Sequence, residues 1–143
     1  MSNPKYTAFT ALDPFFNIAQ QGLAGLVDGE HYFDTIAEDA EFEFRYHFPG
    51  YPRKLRGRDA LMSLYAGYGN NIVLHAADAL IVNRSQDNRT VIIEYDVHGK
   101  ILATGASYDN RFISVVTIER RKIVQWRDYM DSLAAMTALS GSQ

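Results

Sequence analysis

The chain contains no cysteine. Disulfides, thiol nucleophiles and thiolate metal ligands are therefore outside its chemistry. Its four histidines, His31, His47, His75 and His98, do not fall at metal-ligand spacing. No glycine-rich phosphate loop joins a strand to a helix. Neither Ser63 nor Ser114 stands in a nucleophile-elbow sequence. No metal and no cofactor are expected. Lys and Arg number 14 against 17 Asp and Glu, a net charge of −3 without long runs. The basic face of a nucleic-acid binder is missing. No apolar run approaches a membrane span, and Met1–Thr10 lack the apolar core of a signal peptide. The expectation is a soluble, cytoplasmic protein with neither nucleic-acid nor membrane partners.

What is present is average for a globular chain: 143 residues, 47% hydrophobic and 22% charged. That length buries roughly two thirds of the surface of the unfolded chain, enough for one core without staples. A single domain over 1–143 is expected. Residues 1–12 read as a short arm. Asp13-Pro14 is a helix start, with Asp13 as the cap. Phe15, Phe16, Ile18, Ala19, Leu23, Leu26 and Val27 then recur at helical spacing, with Gly29 as a stop. A second short helix is expected over Tyr32–Glu38, with Phe33, Ile36 and Ala37 inward. Glu41–Phe48 alternates polar with aromatic, placing Phe42, Phe44, Tyr46 and Phe48 on one face of a strand that ends at Pro49-Gly50-Tyr51-Pro52. Arg53, Lys54, Arg56 and Arg58 read as a solvated loop. A helix follows with Leu61, Met62, Leu64, Tyr65 and Tyr68 as its stripe. Beyond residue 71 come four strands, 72–83, 90–98, 107–119 and 122–130, rich in branched and aromatic residues. His98-Gly99 is expected to bend and Arg120-Arg121 to make a tight turn. Helical spacing returns over Ser132–Leu139, and Gly141–Gln143 are expected to fray. Segregated helices and antiparallel strands make the class α+β.

Strand faces follow from the period of two. In the last strand Val124, Trp126, Asp128 and Met130 point one way. In the strand from residue 90, Ile92, Glu94, Asp96 and His98 oppose Val91, Ile93, Tyr95 and Val97. Neither strand has one clean apolar side, so both faces must be partly covered. Helices around a pocket on one side and a second subunit on the other would do this. An Asp128 beside Trp126 and Met130 would lose hydration, which raises a carboxylate's pKa and suits it to general acid/base work. Asp96 and Glu94 are further candidates for the same space, and two carboxylates there would split into acid and base. The bland reading of Asp128 is a strand-end group that caps a turn. That of the aromatic ladder is plain packing.

The element order, together with Phe33-Asp34 through Asp39-Ala40-Glu41, Gly57-Arg58-Asp59-Ala60-Leu61 and Gln125-Trp-Arg-Asp-Tyr-Met-Asp131, resembles the SnoaL-like branch of the NTF2-like superfamily, which includes ketosteroid isomerase. The resemblance runs from Asp13 to Leu139. It implies a cone of helices on a strongly curved, mostly antiparallel sheet, enclosing a pocket and often dimeric. His98-Gly-Lys-Ile-Leu102, Tyr108, Asn110-Arg111-Phe112 and Arg127-Asp128-Tyr129-Met130 are similar to phenazine-biosynthesis proteins of the A/B type, whose acid/base Glu falls at Asp128. Trp126-Arg127-Asp128-Tyr129 with Asp131 resembles limonene-1,2-epoxide hydrolase, whose second Asp falls at Asp96. The Arg of that family would fall at Glu94, and its water-holding Tyr and Asn at Phe42 and Phe44, so its mechanism is not expected. The resemblance thus implies a homodimeric, cofactor-free enzyme acting on a hydrophobic small molecule by isomerisation, cyclisation or condensation beside a carbonyl. Asp128 and Asp96 would be catalytic, with Trp126, Phe42, Phe44, Glu94 and Tyr65 against the substrate. A non-catalytic ligand-binding protein is the alternative.

Overall fold

The computed structural model describes residues 4–48 and 50–140. The expectations for Met1–Asn3, for Pro49 and for Gly141–Gln143 lie outside those residues. A 3-10 helix, Pro4–Leu12, replaces the expected arm and leads into α1 (Asp13–Gly22). A 3-10 turn, Tyr32–Thr35, precedes β1 (Ile36–Phe44) and β2 (Lys54–Arg56). Then follow α2 (Arg58–Tyr68), β3 (Ile72–Arg84), β4 (Thr90–Ile101), β5 (Ser107–Glu119), β6 (Lys122–Met130) and α3 (Ser132–Leu139). The strands form one open sheet in the order β2-β1-β6-β5-β4-β3. β1 and β6 are parallel and every other pair is antiparallel. The class is α+β, with three α-helices on a six-stranded, mostly antiparallel sheet. α1 lies against β3 and β4, α2 against β1 and β2, and α3 against β5.

Register breaks bend this sheet. β3 shifts between Leu74 and Ala76 and again between Asp78 and Ile81, where Ala79 takes a φ of 60°. Such bulges kink a strand and raise its twist, which wraps the sheet around its inner face. β6 carries another: Thr117 pairs with Gln125 but Ile118 pairs with Ile123, leaving Val124 as the extra residue. Ile123 therefore turns inward and is fully buried. The expectation that Val124 shares a face with Trp126 is corrected by that bulge.

Five other expectations change. Asp13 is the first helical residue of α1, and Leu12 holds the cap position without a side-chain bond. α1 stops at Gly22 rather than Gly29. The helix expected over Tyr32–Glu38 ends after one turn. His31 and Asp34 close a capping box there, with Nδ1 of His31 accepting from the Phe33 amide (3.0 Å) and Oδ2 of Asp34 from the His31 amide (3.2 Å). Ile36 then pairs with Ile123, so strand pairing overrides helical spacing. Arg53–Arg58 is not all loop, since Lys54–Arg56 pairs with Glu41–Glu43 as an edge strand. His98-Gly99 is not a bend but the interior of β4. A Cβ at Gly99 would lie 2.3 Å from the Val73 carbonyl oxygen, so this glycine permits close strand approach. The Arg120-Arg121 turn is as expected. Both residues have positive φ, 53° and 63°, as a two-residue hairpin of this hand requires. Arg121 holds the turn by donating from Nε to Oδ1 of Asp28 (2.8 Å).

The core is aromatic. Trp126, Tyr32, Phe16, Phe33, Phe42 and Phe44 are all but fully buried. Trp126 meets Tyr32 and Phe15 edge to face, at 5.5 and 6.2 Å between centroids. Phe15 and Phe44 of this block also border a cavity.

Candidate active site

Asp128 stands near the end of β6 on the inner face. Registration places it between Phe44 of β1 and Ser114 of β5. The strand period brings Trp126 to the same face. The indole Nε1 donates to Oδ1 of Asp128 (2.6 Å), and the Ser114 hydroxyl donates to the same oxygen (2.6 Å). Tyr95 of β4 lies 2.8 Å from the Ser114 hydroxyl. Because Ser114 gives its one proton to Asp128, the Tyr95 hydroxyl donates to Ser114, forming a chain of three groups. Both bonds fall on Oδ1, so Oδ2 is the oxygen that faces the cavity. Burial pushes the carboxyl up to about 6, and the Ser114 and Trp126 bonds hold back part of that rise.

The cavity beside Asp128 has a volume of about 290 Å³. That is at the small end of the range for ligand pockets. Phe15, Phe44, Leu64, Tyr65, Val97, Phe112 and Met130 form its apolar walls. Beyond β1 the chain continues past Asp128, since the Arg45 amide donates to the Asp128 carbonyl (2.8 Å). This brings Tyr46, Phe48 and Tyr51 to the cavity lining. Asp128 raises the pKa of Tyr46, Tyr51, Tyr65 and Tyr95 through its negative charge, after burial itself. These phenols stay neutral donors near physiological pH. Among the described residues, the Tyr32 hydroxyl is the buried side-chain polar atom without a hydrogen-bond partner. It too sits in the field of Asp128.

The structure brings Asp128, Phe44 and Tyr65 together at the cavity. Trp126 is the donor to Asp128, and Phe42 is buried beside Trp126 across the β1–β6 pairing and does not line the cavity. Asp96 and Glu94 are elsewhere. Val91, Ile93, Tyr95 and Val97 take the inner face of β4, so Asp96 and Glu94 point from the outer face. Asp96 lies beside Asp78 and Arg111, and Glu94 beside Ile81 and Ile113. The second carboxylate expected in the pocket is therefore not there. An apolar strand seen from the inside leaves its polar residues for the other side. Sequence reasoning missed Ser114 and Tyr95 as partners of Asp128. The signal was available in β5, where Tyr108, Asn110, Phe112, Ser114 and Val116 alternate and put Ser114 on the buried face.

Among the described residues, no helix is long and apolar enough to cross a membrane. A model of the SnoaL-like domain matches residues 19–126, so the matched segment stops just short of Asp128. The uncharacterized protein YesE of Bacillus subtilis (strain 168) is 36% identical over 105 residues, 73% of this chain and 71% of its own length. A Bacillus subtilis protein of solved structure, provisionally named an isomerase, superposes with a TM-score of 0.74 at 30% identity, covering 99% of this chain and 98% of that one. A phenazine biosynthesis-related protein from Pseudomonas aeruginosa gives 0.67 at 21% identity, over 91% and 89%. Solved structures with NTF2-like and ketosteroid isomerase-like folds share the architecture. The chain belongs to the SnoaL-like family.

Proposed function

We propose that this chain is a cofactor-free enzyme that binds a small apolar molecule in the cavity and moves a proton on it with Asp128. The reaction class is isomerisation, cyclisation or condensation beside a carbonyl. The observation that carries this reading is Asp128 itself: a buried carboxylate, pushed up to about 6, one oxygen held by Ser114 and Trp126 and the other facing the cavity. A base with a pKa near the working pH transfers protons best in both directions. Oδ2 would take a proton from the carbon next to the carbonyl. The C–H electron pair would become the C=C bond of an enolate, and Asp128 would return the proton elsewhere. Neutral tyrosine hydroxyls of the lining can donate to the enolate oxygen.

The test is deuterium exchange. Small ketones with acidic α-hydrogens are incubated with the protein in deuterium oxide and followed by proton NMR. Asp128→Asn should slow exchange by about 10²- to 10⁴-fold. Equal exchange by the variant would sink the proposal. One observation favours a second reading, ligand carriage without chemistry: Asp96 is outside, so the cavity holds a single carboxylate. In that case the variant changes affinity and neither protein promotes exchange.

We further infer a homodimer through the outer face of the sheet. Ile81, Ile113 and Tyr129 line up across β3, β5 and β6 and are exposed, 53%, 42% and 37%. Analytical ultracentrifugation should give twice the chain mass of 16.1 kDa. A monomer at micromolar concentration would remove this part.

A further inference from the structure

Among the described residues that line the cavity, none is Lys, Arg or His. Asp128 is its single carboxylate. The groups that meet Asp128 are neutral: Ser114 from β5 and Trp126 from β6 by hydrogen bonds, and the phenols of Tyr32, Tyr46, Tyr51, Tyr65 and Tyr95 through its field. A buried charge without a counter-charge is costly, and two neutral donors on one oxygen offset only part of that cost. The free oxygen opens onto rings. Phe15, Phe44, Tyr46, Tyr65 and Phe112 all border the cavity, and Phe112 lies parallel to Tyr95 with 2° between their planes. Aromatic faces carry the negative side of a quadrupole and attract cations. The described residues hold no cluster of three or more His, Asp or Glu able to bind a metal ion. Greasy walls also reject an ion that keeps its water. They favour a cation whose charge is already wrapped in carbon.

We propose that the occupant of this cavity is a small organic cation, an apolar molecule carrying a protonated, quaternary or iminium nitrogen, with its charge against Oδ2 of Asp128 and its alkyl groups against the rings. This rests on one part of the reading above, that the cavity beside Asp128 is a ligand site, and narrows the ligand.

The probes are choline and 3,3-dimethylbutan-1-ol, which share shape and differ in charge. Calorimetry on the full chain at pH 8 should give choline at least roughly tenfold tighter binding than the alcohol, the scale of one buried cation–π and charge contact. A quaternary nitrogen cannot titrate, and the surrounding phenols are pushed up, so the preference should shrink as pH falls through about 6 with protonation of Asp128. Asp128→Asn should lose the preference and keep the alcohol. Phe112→Leu, with folding checked by thermal unfolding, should weaken choline severalfold more than the alcohol. Equal binding of the two probes at pH 8, a preference kept by Asp128→Asn, or no binding of either overturns the inference. Deuterium exchange reads the proton-transfer proposal separately. Exchange without cation preference leaves that reading standing, and cation preference without exchange removes it alone.

Discussion

The two faces of the sheet carry hydrogen-bonded titratable groups in opposite surroundings. On the inner face Asp128 meets a serine, an indole and phenols. On the outer face His98 lies between two carboxylates, with Nδ1 2.7 Å from Oδ1 of Asp109 and Nε2 3.0 Å from Oδ1 of Asp78. Both groups have a raised pKa, for different reasons. His98 rises because Asp109 and then Asp78 bond to its charged form. Asp128 rises because its charged form has lost water. The outer face stabilises a charge and the inner face penalises one. A site that penalises its own charge is arranged for something other than folding.

The largest expected consequence is that the inner group opposes stability. A rise from 3.8 to about 6 corresponds to about 3 kcal/mol. The sign follows from proton binding. Between those two values the folded chain holds a proton that the unfolded chain has lost, so stability falls as pH rises through that window. Above about 6 the penalty is complete. Asp128→Asn keeps an acceptor for Ser114 and Trp126 and removes the charge. It should therefore be more stable than the parent by up to about 3 kcal/mol at pH 8, with the gain shrinking below pH 6 and gone below 3.8. Urea unfolding at several pH values measures this. A variant less stable than the parent at pH 8 would mean that Asp128 is a structural acceptor, and the contrast between the faces would fail.

How much of this was legible in the sequence follows from the same contrast. The last four strands are long, branched and aromatic, and their faces followed from alternation. Asp128 announced itself because it alternates with Trp126 and Met130. The errors came where a partner strand decides. Ile36–Glu38 carry helical spacing but join β6. Gly99 looks like a bend but is a point of contact with β3. Asp96 and Glu94 sit on the polar side of β4, and only the position of the helices says which side is inside. The phenols around Asp128 come from four separate parts of the chain: the 3-10 turn, the segment after β1, α2 and β4. No local pattern could assemble them. The carboxyl's company is a property of the tertiary fold.

The smallest expected effect is on the outer face, where the charged group adds stability instead of removing it. With its folded pKa above 6.5, protonated His98 contributes stability that is fully present below 6.5 and lost as pH rises through the folded value. Asp78 and Asp109 are mostly exposed, which screens the interaction. His98→Gln should therefore cost less than about 1 kcal/mol at pH 5.5 and nothing at pH 9. High salt should erase the pH 5.5 difference, because exposed charges are screened. At the same pH 5.5 the Asp128→Asn gain has already begun to fade. The two variants thus diverge from the parent at opposite ends of the pH range, one upward at high pH and one downward at low pH. Departure of both variants from the parent at the same end of the pH range would show that burial does not separate the faces, because a shared cause would then be moving both groups.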